Sequence, residues 1–479
     1  MMDWSGIFNE IFSVIYNILY FGVIIGMIII VILDNRNPVK TMAWILVLSF
    51  LPLVGLVFYF FFGRSTRRER IISKKSYNRL MKKPMAEFVA QESYELPADQ
   101  YQVAQLFRNT NQALPFEGNE VDIYTDGYTK LHALIREMMR AKHHIHLEYY
   151  IFENDPVGRL VRDVLIEKAR QGVEVRLIYD DVGCWHVPNR FFEEMVEAGI
   201  NARAFLKVRF PLFTSKVNYR NHRKIVVIDG RVGFVGGMNI ALRYMRGFDW
   251  GIWRDTHVMI KGKAVHGLQT SFLLDWFFVD QTLLTSSKFF PALDSKGDSL
   301  AQIVTSEPTA EWKEIMQGLC LAICSAKEYF YIQTPYFLPT EPILAALQTA
   351  ALAGVDVRLM LPEHADSTIT HLASRSYLKD VLKAGVKVFF YQKGFLHSKL
   401  MVSDDALSTV GSTNMDFRSF EHNFEVNAFM YDEPTALRMK EIFLQDQRDS
   451  IPVYLKNWEK RPTGQKVKES VVRVLSPLL

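Results

Sequence analysis

Asn221-His222-Arg223-Lys224-Ile225-Val226-Val227-Ile228-Asp229 and Leu396-His397-Ser398-Lys399-Leu400-Met401-Val402-Ser403-Asp404 are two copies of one pattern, H-x-K-x4-D. Their tails repeat as well. Gly236-Gly237-Met238-Asn239 answers Gly411-Ser412-Thr413-Asn414, each Asn lying 17 residues beyond its His (239 − 222 and 414 − 397). Two strings with matching tails in one chain indicate an internal duplication.

The duplication extends upstream. Ala141-Lys142 and the apolar run 145–152 match Ala326-Lys327 and the run 329–337. Gly172-Val173-Glu174-Val175-Arg176-Leu177 matches Gly354-Val355-Asp356-Val357-Arg358-Leu359, and Ala198-Gly199-Ile200 matches Ala384-Gly385-Val386. Between these strands, 161–171 and 342–353 carry apolar residues at helical spacing. Each half therefore reads strand, helix, strand, helix, strand and a His-bearing hairpin. The expected fold class is α/β, with two duplicated units over 110–299 and 300–479. The first copy carries extra residues before its His, including Arg209-Phe210-Pro211-Leu212-Phe213, read as a surface loop or as an apolar loop at a lipid-facing mouth.

Side chains two apart in a strand share a face, so His222 with Lys224, and His397 with Lys399, are expected to converge on one ligand. A neutral imidazole can attack or pass a proton, and an ammonium beside it supplies charge and donors without a lone pair. This suits an anion such as phosphate. A metal is the rival ligand, but a Lys two residues from the His would repel the cation, so no metal and no cofactor are expected. Asp229-Gly230 between apolar runs reads as a primed hairpin turn. Asp229, and Asp404 by repetition, complete the candidate catalytic sets, but as braces of the hairpin more than as chemical groups. The partners that fix each imidazole are then sought elsewhere, in Asp255 of Trp253-Arg254-Asp255-Thr256 and Glu425 of Asn423-Phe424-Glu425-Val426. Asn239 and Asn414 read either as turn formers near Gly or as amide donors to a phosphoryl oxygen.

The chain has 479 residues, enough for two to four domains, and 49% of them are hydrophobic. Much of that excess is local. Residues 7–33 and 42–62 are almost wholly apolar and are separated only by Asp34-Asn35-Arg36-Asn37-Pro38-Val39-Lys40. Each exceeds the roughly 20 residues needed to cross a bilayer as a helix. The first has no basic start and no small-residue cleavage site, so a two-helix membrane hairpin over 1–63 is expected, with helices at about 7–33 and 41–63. Over 64–109 follows a basic juxtamembrane segment and linker; Arg64, Arg67, Arg68, Arg70, Lys74, Lys75, Arg79, Lys82 and Lys83 face only Glu69. The positive-inside rule puts this segment and both α/β units in the cytoplasm, where it can also touch anionic lipid. Nucleic acid is not expected as a partner, since the net charge of +4 is modest and the basic run adjoins the membrane segments.

Three cysteines, Cys184, Cys320 and Cys324, imply no disulfide framework. The last two, a helical turn apart, read as core packing. His143, His144 and His146 read as residues beside a buried strand and not as ligands. The tail, 471–479, is amphipathic enough to pack on the body or lie on a membrane.

With both H-x-K-x4-D strings, their Asn tails and the duplicated unit in view, the chain resembles the phospholipase D superfamily and, within it, bacterial cardiolipin synthases. The narrower likeness rests on two N-terminal apolar runs flanking Asn35-Arg36-Asn37-Pro38, on Tyr219-Arg220-Asn221-His222-Arg223-Lys224, Gln333-Thr334-Pro335-Tyr336-Phe337 and Gly394-Phe395-Leu396-His397-Ser398-Lys399, and on the closing Ser476-Pro477-Leu478-Leu479. The resemblance implies a multi-pass protein of the bacterial cytoplasmic membrane. It implies a metal-independent transphosphatidylation in which two phosphatidylglycerol molecules give cardiolipin and glycerol through a phosphatidyl-histidine intermediate. His222 is then the nucleophile and His397 the acid and base, with Lys224, Lys399, Asn239 and Asn414 on the nonbridging oxygens. A membrane-bound hydrolase releasing phosphatidic acid is the alternative. No oligomeric state is implied.

Overall fold

The computed structural model describes residues 4–33, 38–59, 96–207 and 219–478. They fall into two compact units, one of 4–33 with 38–59 and one of 96–207 with 219–478. The basic run of 64–83 and the apolar loop at 209–213 lie outside the described residues.

In the first unit one helix, Trp4–Leu33, contains a stretch, Ile11–Leu33, long and apolar enough to cross a membrane. The second apolar run does not form the single helix expected over 41–63. Its described part is two helices, Pro38–Phe50 and Pro52–Phe58, broken at Leu51 with φ −133° and ψ 62°. Pro52 explains the break: it has no N–H to donate, and its ring disfavours the helical conformation in the residue before it. Val31, Leu48 and Tyr59 are buried together, and the Trp44 ring meets Tyr59 edge-on at 5.3 Å.

The strands of the second unit are, in its first half, β1 (Pro115–Tyr124), β2 (His144–Tyr149), β3 (Glu174–Asp180), β4 (Asn201–Phe205), β5 (Arg220–Asn221), β6 (Lys224–Ile228), β7 (Val232–Gly236), β8 (Ile252–Arg254) and β9 (His257–Lys261). In its second half they are β10 (Ser299–Ser306), β11 (Tyr329–Gln333), β12 (Phe337–Leu338), β13 (Asp356–Pro362), β14 (Lys387–Tyr391), β15 (Gly394–Leu396), β16 (Leu400–Ser403), β17 (Leu407–Gly411), β18 (Met415–Asp416), β19 (Asn423–Met430) and β20 (Ser450–Val453). Among the described residues, the main sheet runs β20-β14-β13-β11-β16-β17-β19-β10-β1-β9-β7-β6-β2-β3-β4. Apart from the edge strand β20, the order is a palindrome of the duplication. In each half three parallel strands (β2, β3, β4 or β11, β13, β14) adjoin an antiparallel set (β6, β7, β9 or β16, β17, β19). β1 and β10 join the halves antiparallel, with Phe116 opposite Ala301, so the two halves share one continuous sheet.

The local signals are physical. β2, β6 and β11 are buried at every residue, as expected of strands covered on both faces, and β2 buries His144, His146 and Glu148 among its apolar residues. The helix read at 161–171 spans Pro156–Arg170, with Asp155 accepting from Gly158 N and Pro156 in its first turn, and that read at 342–353 spans Glu341–Leu352. Gly172 (φ 88°) and Gly354 (φ 99°), which open the matching hexapeptides, follow these helices in the left-handed region that glycine adopts without strain. Asp229 and Gly230 (φ 55° and 65°) and Asp404 and Asp405 (φ 51° and 52°) make the two primed hairpin turns.

Two segments differ from the sequence reading, and a third follows one of the two courses it left open. The end of the expected linker is a helix, Ala98–Asn111, whose Val103, Ala104 and Phe107 are buried in the second half's core with Ile315, Leu319 and Phe429. Gly318 makes room for it, since a Cβ there would meet the Phe107 ring at 2.0 Å. Cys320 packs beside that core, but Cys324 is exposed. The tail helix Thr463–Arg473 packs on the body: Arg473 pairs with Asp380 at 2.9 Å and stands over Tyr377 at 4.0 Å.

Candidate active site

Each H-x-K string straddles a break in its strand. β5 ends at Asn221 and β6 begins at Lys224; β15 ends at Leu396 and β16 begins at Leu400. What holds each His across the break is the opposite half of the sequence. β5 pairs with β19, and His222 N–H donates to Phe424 O at 2.9 Å. β15 pairs with β8, and His397 N–H donates to Arg254 O at 2.7 Å. The uninterrupted strand expected at each string is thus replaced by a bend that aims the imidazole out of the sheet. Lys224 and Lys399 each donate back to the carbonyl of their own His at 2.6 Å.

The imidazole partners are crossed between halves. Glu425 receives His222 Nδ1 at 3.0 Å and 3.1 Å on its two oxygens, and is held by Asn423 Nδ2 at 3.1 Å and by the Ser412 hydroxyl. Asp255 receives His397 Nδ1 at 2.6 Å, and is held by Thr256 N–H at 2.7 Å and the Trp253 indole N–H at 3.5 Å. A carboxylate at Nδ1 fixes the tautomer with the proton there, and leaves the Nε2 lone pair for the cavity.

Burial dominates the electrostatics. Both imidazoles are under 10% exposed, and burial pushes His222 down to about 4, opposed by Glu425 and helped by Lys224. Burial and then the Lys399 ammonium push His397 down to about 3, opposed by Asp255. Both bases are therefore neutral near pH 7. Burial likewise lowers Lys224 to about 7 and Lys399 to about 8. Burial alone would raise Glu425 and Asp255, but the neighbouring imidazoles and lysines outweigh it and hold both carboxyls below their ordinary values. Lys399 Nζ lies 3.2 Å from both ring nitrogens of His397, which places the ammonium over the ring face.

His222, His397, Asn239 and Asn414 line one cavity of about 700 Å³. Neither Asn offers its amide nitrogen to that cavity as expected. Asn239 Nδ2 donates to the Tyr244 hydroxyl while its Oδ1 accepts from Ile151 N–H at 3.1 Å, and Asn414's amide donates to Asp416. Asp229 and Asp404 stand outside the cavity, at the far end of the hairpins. Asp229 accepts from the backbone N–H of Lys142, His143 and His144 at 2.8–3.0 Å, and Asp404 from those of Lys327, Glu328 and Tyr329 at 2.7–3.0 Å. Their place is that of a brace, and their grouping with the chemical residues is corrected on that geometry. His144 and His146 belong to a buried chain through Gln269, at 3.1 Å and 2.9 Å. Among the described residues no three His, Cys, Asp or Glu are grouped to hold a metal.

Several wall residues were not singled out from the sequence. The Tyr150 ring stands edge-on to His222 at 5.1 Å, and the Trp253 ring lies 5.0 Å from His397. Behind the site, Arg223 Nε donates to Glu425 O at 3.1 Å and its guanidinium pairs with Asp275, while Arg254 pairs with Asp446 at 2.7 Å. Arg243 and Arg418 also line the cavity. They carry a signal that the sequence did hold: each lies 21 residues past its His (243 − 222 and 418 − 397).

A family described as "Cardiolipin synthase, PLD-like domain" matches residues 134–276 and 319–447, and one described as "Phospholipase_D-nuclease N-terminal" matches residues 22–64. A cardiolipin synthase of Geobacillus sp. (strain WCH70) is 41% identical over 459 residues, covering 94% of this chain and 91% of the relative. The major cardiolipin synthase ClsA of Bacillus subtilis (strain 168) is 39% identical over 463 residues, covering 94% and 96%. Among solved structures, phosphatidylserine synthase of Haemophilus influenzae Rd KW20 has a TM-score of 0.60 at 14% identity over 79% of this chain and 100% of that one, a likeness of fold alone.

Proposed function

From the premise that this chain belongs to the cardiolipin synthase family of phospholipase D-like proteins, we propose that it is a membrane phosphatidyltransferase that converts two phosphatidylglycerol molecules to cardiolipin and glycerol. The observation that carries the chemistry is the crossed pair of imidazoles on one cavity, each with Nδ1 on a carboxylate from the other half.

His222 Nε2 attacks the phosphorus of the first lipid as the ester bond to glycerol breaks. His397 gives the departing alkoxide its proton. Burial and Lys399 favour neutral His397, but an anionic phosphodiester between the rings and the Asp255 carboxylate behind both favour the imidazolium. In the second step the roles reverse: neutral His397 takes the proton of the incoming glycerol hydroxyl, its oxygen bonds to phosphorus, and the P–N bond to His222 breaks. Lys224 and Lys399 face the charge that grows on the nonbridging oxygens, in a buried site where that interaction is stronger than in water. Asn239 contributes through the Tyr244 hydroxyl it holds. Two apolar segments and the basic run after them support a multi-pass anchor in the bacterial cytoplasmic membrane with the catalytic unit on the cytoplasmic side.

The test is the purified chain with phosphatidylglycerol vesicles and a chelator, with products resolved by mass spectrometry. Cardiolipin with equimolar glycerol is expected. Phosphatidic acid in its place makes the protein a hydrolase, and loss of activity with chelator overturns the metal-free route. His222→Ala and His397→Ala are each expected to abolish turnover, and an active His222→Ala removes the two-histidine scheme.

A further inference from the structure

The second displacement sets a requirement that the two His-Lys pairs do not meet. The acceptor is itself a phosphodiester, so while its hydroxyl attacks the phosphorus on the enzyme, a second negative charge three carbons away must enter a site whose lysines already face the first. The cavity wall holds three guanidinium groups, and two are committed. Arg220 is gripped by Asp180 at 3.4 Å and by Tyr219 O at 2.6 Å, and Arg243 lies 3.7 Å from Glu153 and over the Tyr244 ring. Arg418, the repeat's counterpart of Arg243, is half-buried on the same wall, and its guanidinium has no hydrogen-bond or ion-pair partner among the described residues.

The same ten-residue segment supplies a second, independent signal. Asn414 and Asn423, which flank Arg418, are 7% and 5% exposed and line the cavity, and the amide oxygen of each has no hydrogen-bond partner among the described residues. Their orientation is fixed by chemistry. A carboxylate only accepts, so the nitrogen of Asn423 must face Glu425, and that of Asn414 must face Asp416, which turns each oxygen the other way. A guanidinium without a side-chain partner on a wall that also carries two buried, unpaired amide oxygens asks for an anion carrying hydroxyl donors. The two carboxylates on the wall do not take up the arginine: Asp366 accepts the Tyr336 hydroxyl at 2.8 Å, and Asp416 caps the helix Phe417–Glu421 through Ser419 N–H at 2.6 Å.

We propose that Asn414 to Asn423 form the acceptor subsite, in which Arg418 binds the phosphodiester of the second lipid and the amide oxygens of Asn414 and Asn423 receive the hydroxyls of its glycerol headgroup. The inference rests on the transferase reading above. In the step it serves, the primary hydroxyl oxygen of the held glycerol bonds to the phosphorus, the P–N bond to the imidazole breaks, and the hydroxyl proton passes to the other imidazole. Acceptors with and without a phosphate are thereby told apart at one residue.

The experiment uses the full chain in phosphatidylglycerol vesicles and reads two reactions side by side: formation of cardiolipin, whose acceptor carries a phosphate, and exchange of isotopically labelled free glycerol into phosphatidylglycerol, whose acceptor does not. Arg418→Gln is expected to lower cardiolipin formation roughly 10- to 100-fold, the worth of a charge-assisted hydrogen bond, and glycerol exchange no more than about threefold. A fall of both in proportion, or of neither, overturns the subsite. If Arg418→Gln does not fold, Arg418→Lys decides: a KM for phosphatidylglycerol raised in cardiolipin formation but not in exchange supports the subsite, and parallel changes refute it. A wild-type chain that exchanges glycerol yet makes no cardiolipin refutes the synthase reading itself, a result distinct from either.

Discussion

Asp255→Asn tests the crossed carboxylates most directly, because the substitution keeps the shape of the side chain and removes its charge and its ability to accept on both oxygens. Asp255 accepts from His397 Nδ1 at 2.6 Å and from Thr256 N–H at 2.7 Å on different oxygens, with the Trp253 indole at 3.5 Å. An amide has one oxygen. If that oxygen stays with Thr256, the amide nitrogen faces His397 Nδ1 and donates to it, which moves the ring proton to Nε2 and removes the lone pair from the cavity. If the amide turns over, its nitrogen opposes the Thr256 N–H in a site with no exposure, at a cost of about 1–3 kcal/mol. Loss of the charge-assisted bond alone is worth about 1.5–3 kcal/mol, or roughly 10- to 100-fold, and a wrong tautomer extends the fall toward 10⁴-fold. The expected outcome is a drop of about 10³-fold in kcat for cardiolipin formation, followed by mass spectrometry of initial product, with a melting temperature within a few degrees of wild type. A kcat within about fivefold of wild type would show that Asp255 does not set the His397 tautomer.

Glu425→Gln is expected to reproduce this loss through His222, and a variant that keeps full activity would mean His222 needs no orienting carboxylate. Since burial lowers Lys224 to about 7 and Lys399 to about 8, kcat/KM should fall as pH rises through 7–8, where the free enzyme loses the charge that meets phosphate; the bound anion favours the ammonium, so the limb in kcat lies higher. A kcat/KM flat to pH 9 would contradict it. Stability has the opposite dependence on acid: His222 folds with its pKa lowered from 6.5 to about 4, so between those values the unfolded chain binds more protons and stability is lost as pH falls. The difference amounts to about 3 kcal/mol, and His222→Gln should flatten the thermal-melting profile over that window. Asp404→Asn, which removes one accepting oxygen from three backbone N–H groups but tolerates φ 51°, should cost about 1–3 kcal/mol of stability and leave kcat within about twofold; a large kcat loss at unchanged stability would return Asp404 to the chemistry.

Much of the fold was legible because its signals are local. The apolar runs, the glycines after the helices at 172 and 354, and the Asp-Gly turn at 229 each encode a short-range geometry that repeats in the second half. What was not legible depends on contacts far apart in sequence. No spacing says that His222 bends toward Phe424, or that Asp255 serves His397 and not the His of its own half. The helix at 98–111 looked like linker because its core partners, Ile315 and Leu319, lie some two hundred residues on. Pro52 was in plain view, and its missing N–H should have divided the second apolar run. Arg418 was readable as a repeated position, yet the residues around it, Met415-Asp416-Phe417 against Ile240-Ala241-Leu242, share nothing that draws the eye.

The crossing gives the duplication its chemical reason. Were each half self-sufficient, with its His oriented by its own carboxylate, fusion would serve only to bring two bases near one phosphorus. Here the exchange goes further: each half carries an imidazole that lacks its own anchor and a carboxylate that lacks its own imidazole, and the backbone grip is exchanged too, through β5 with β19 and β15 with β8. A half alone would bury Glu425 or Asp255 without the charges that hold it ionised, and burial then raises its pKa and protonates it. The neutral acid no longer stabilises an imidazolium, so the exchange between halves belongs to the chemistry as well as to the fold. The continuous sheet through β1 and β10 then fixes the distance between the two rings, which neither half could set by itself.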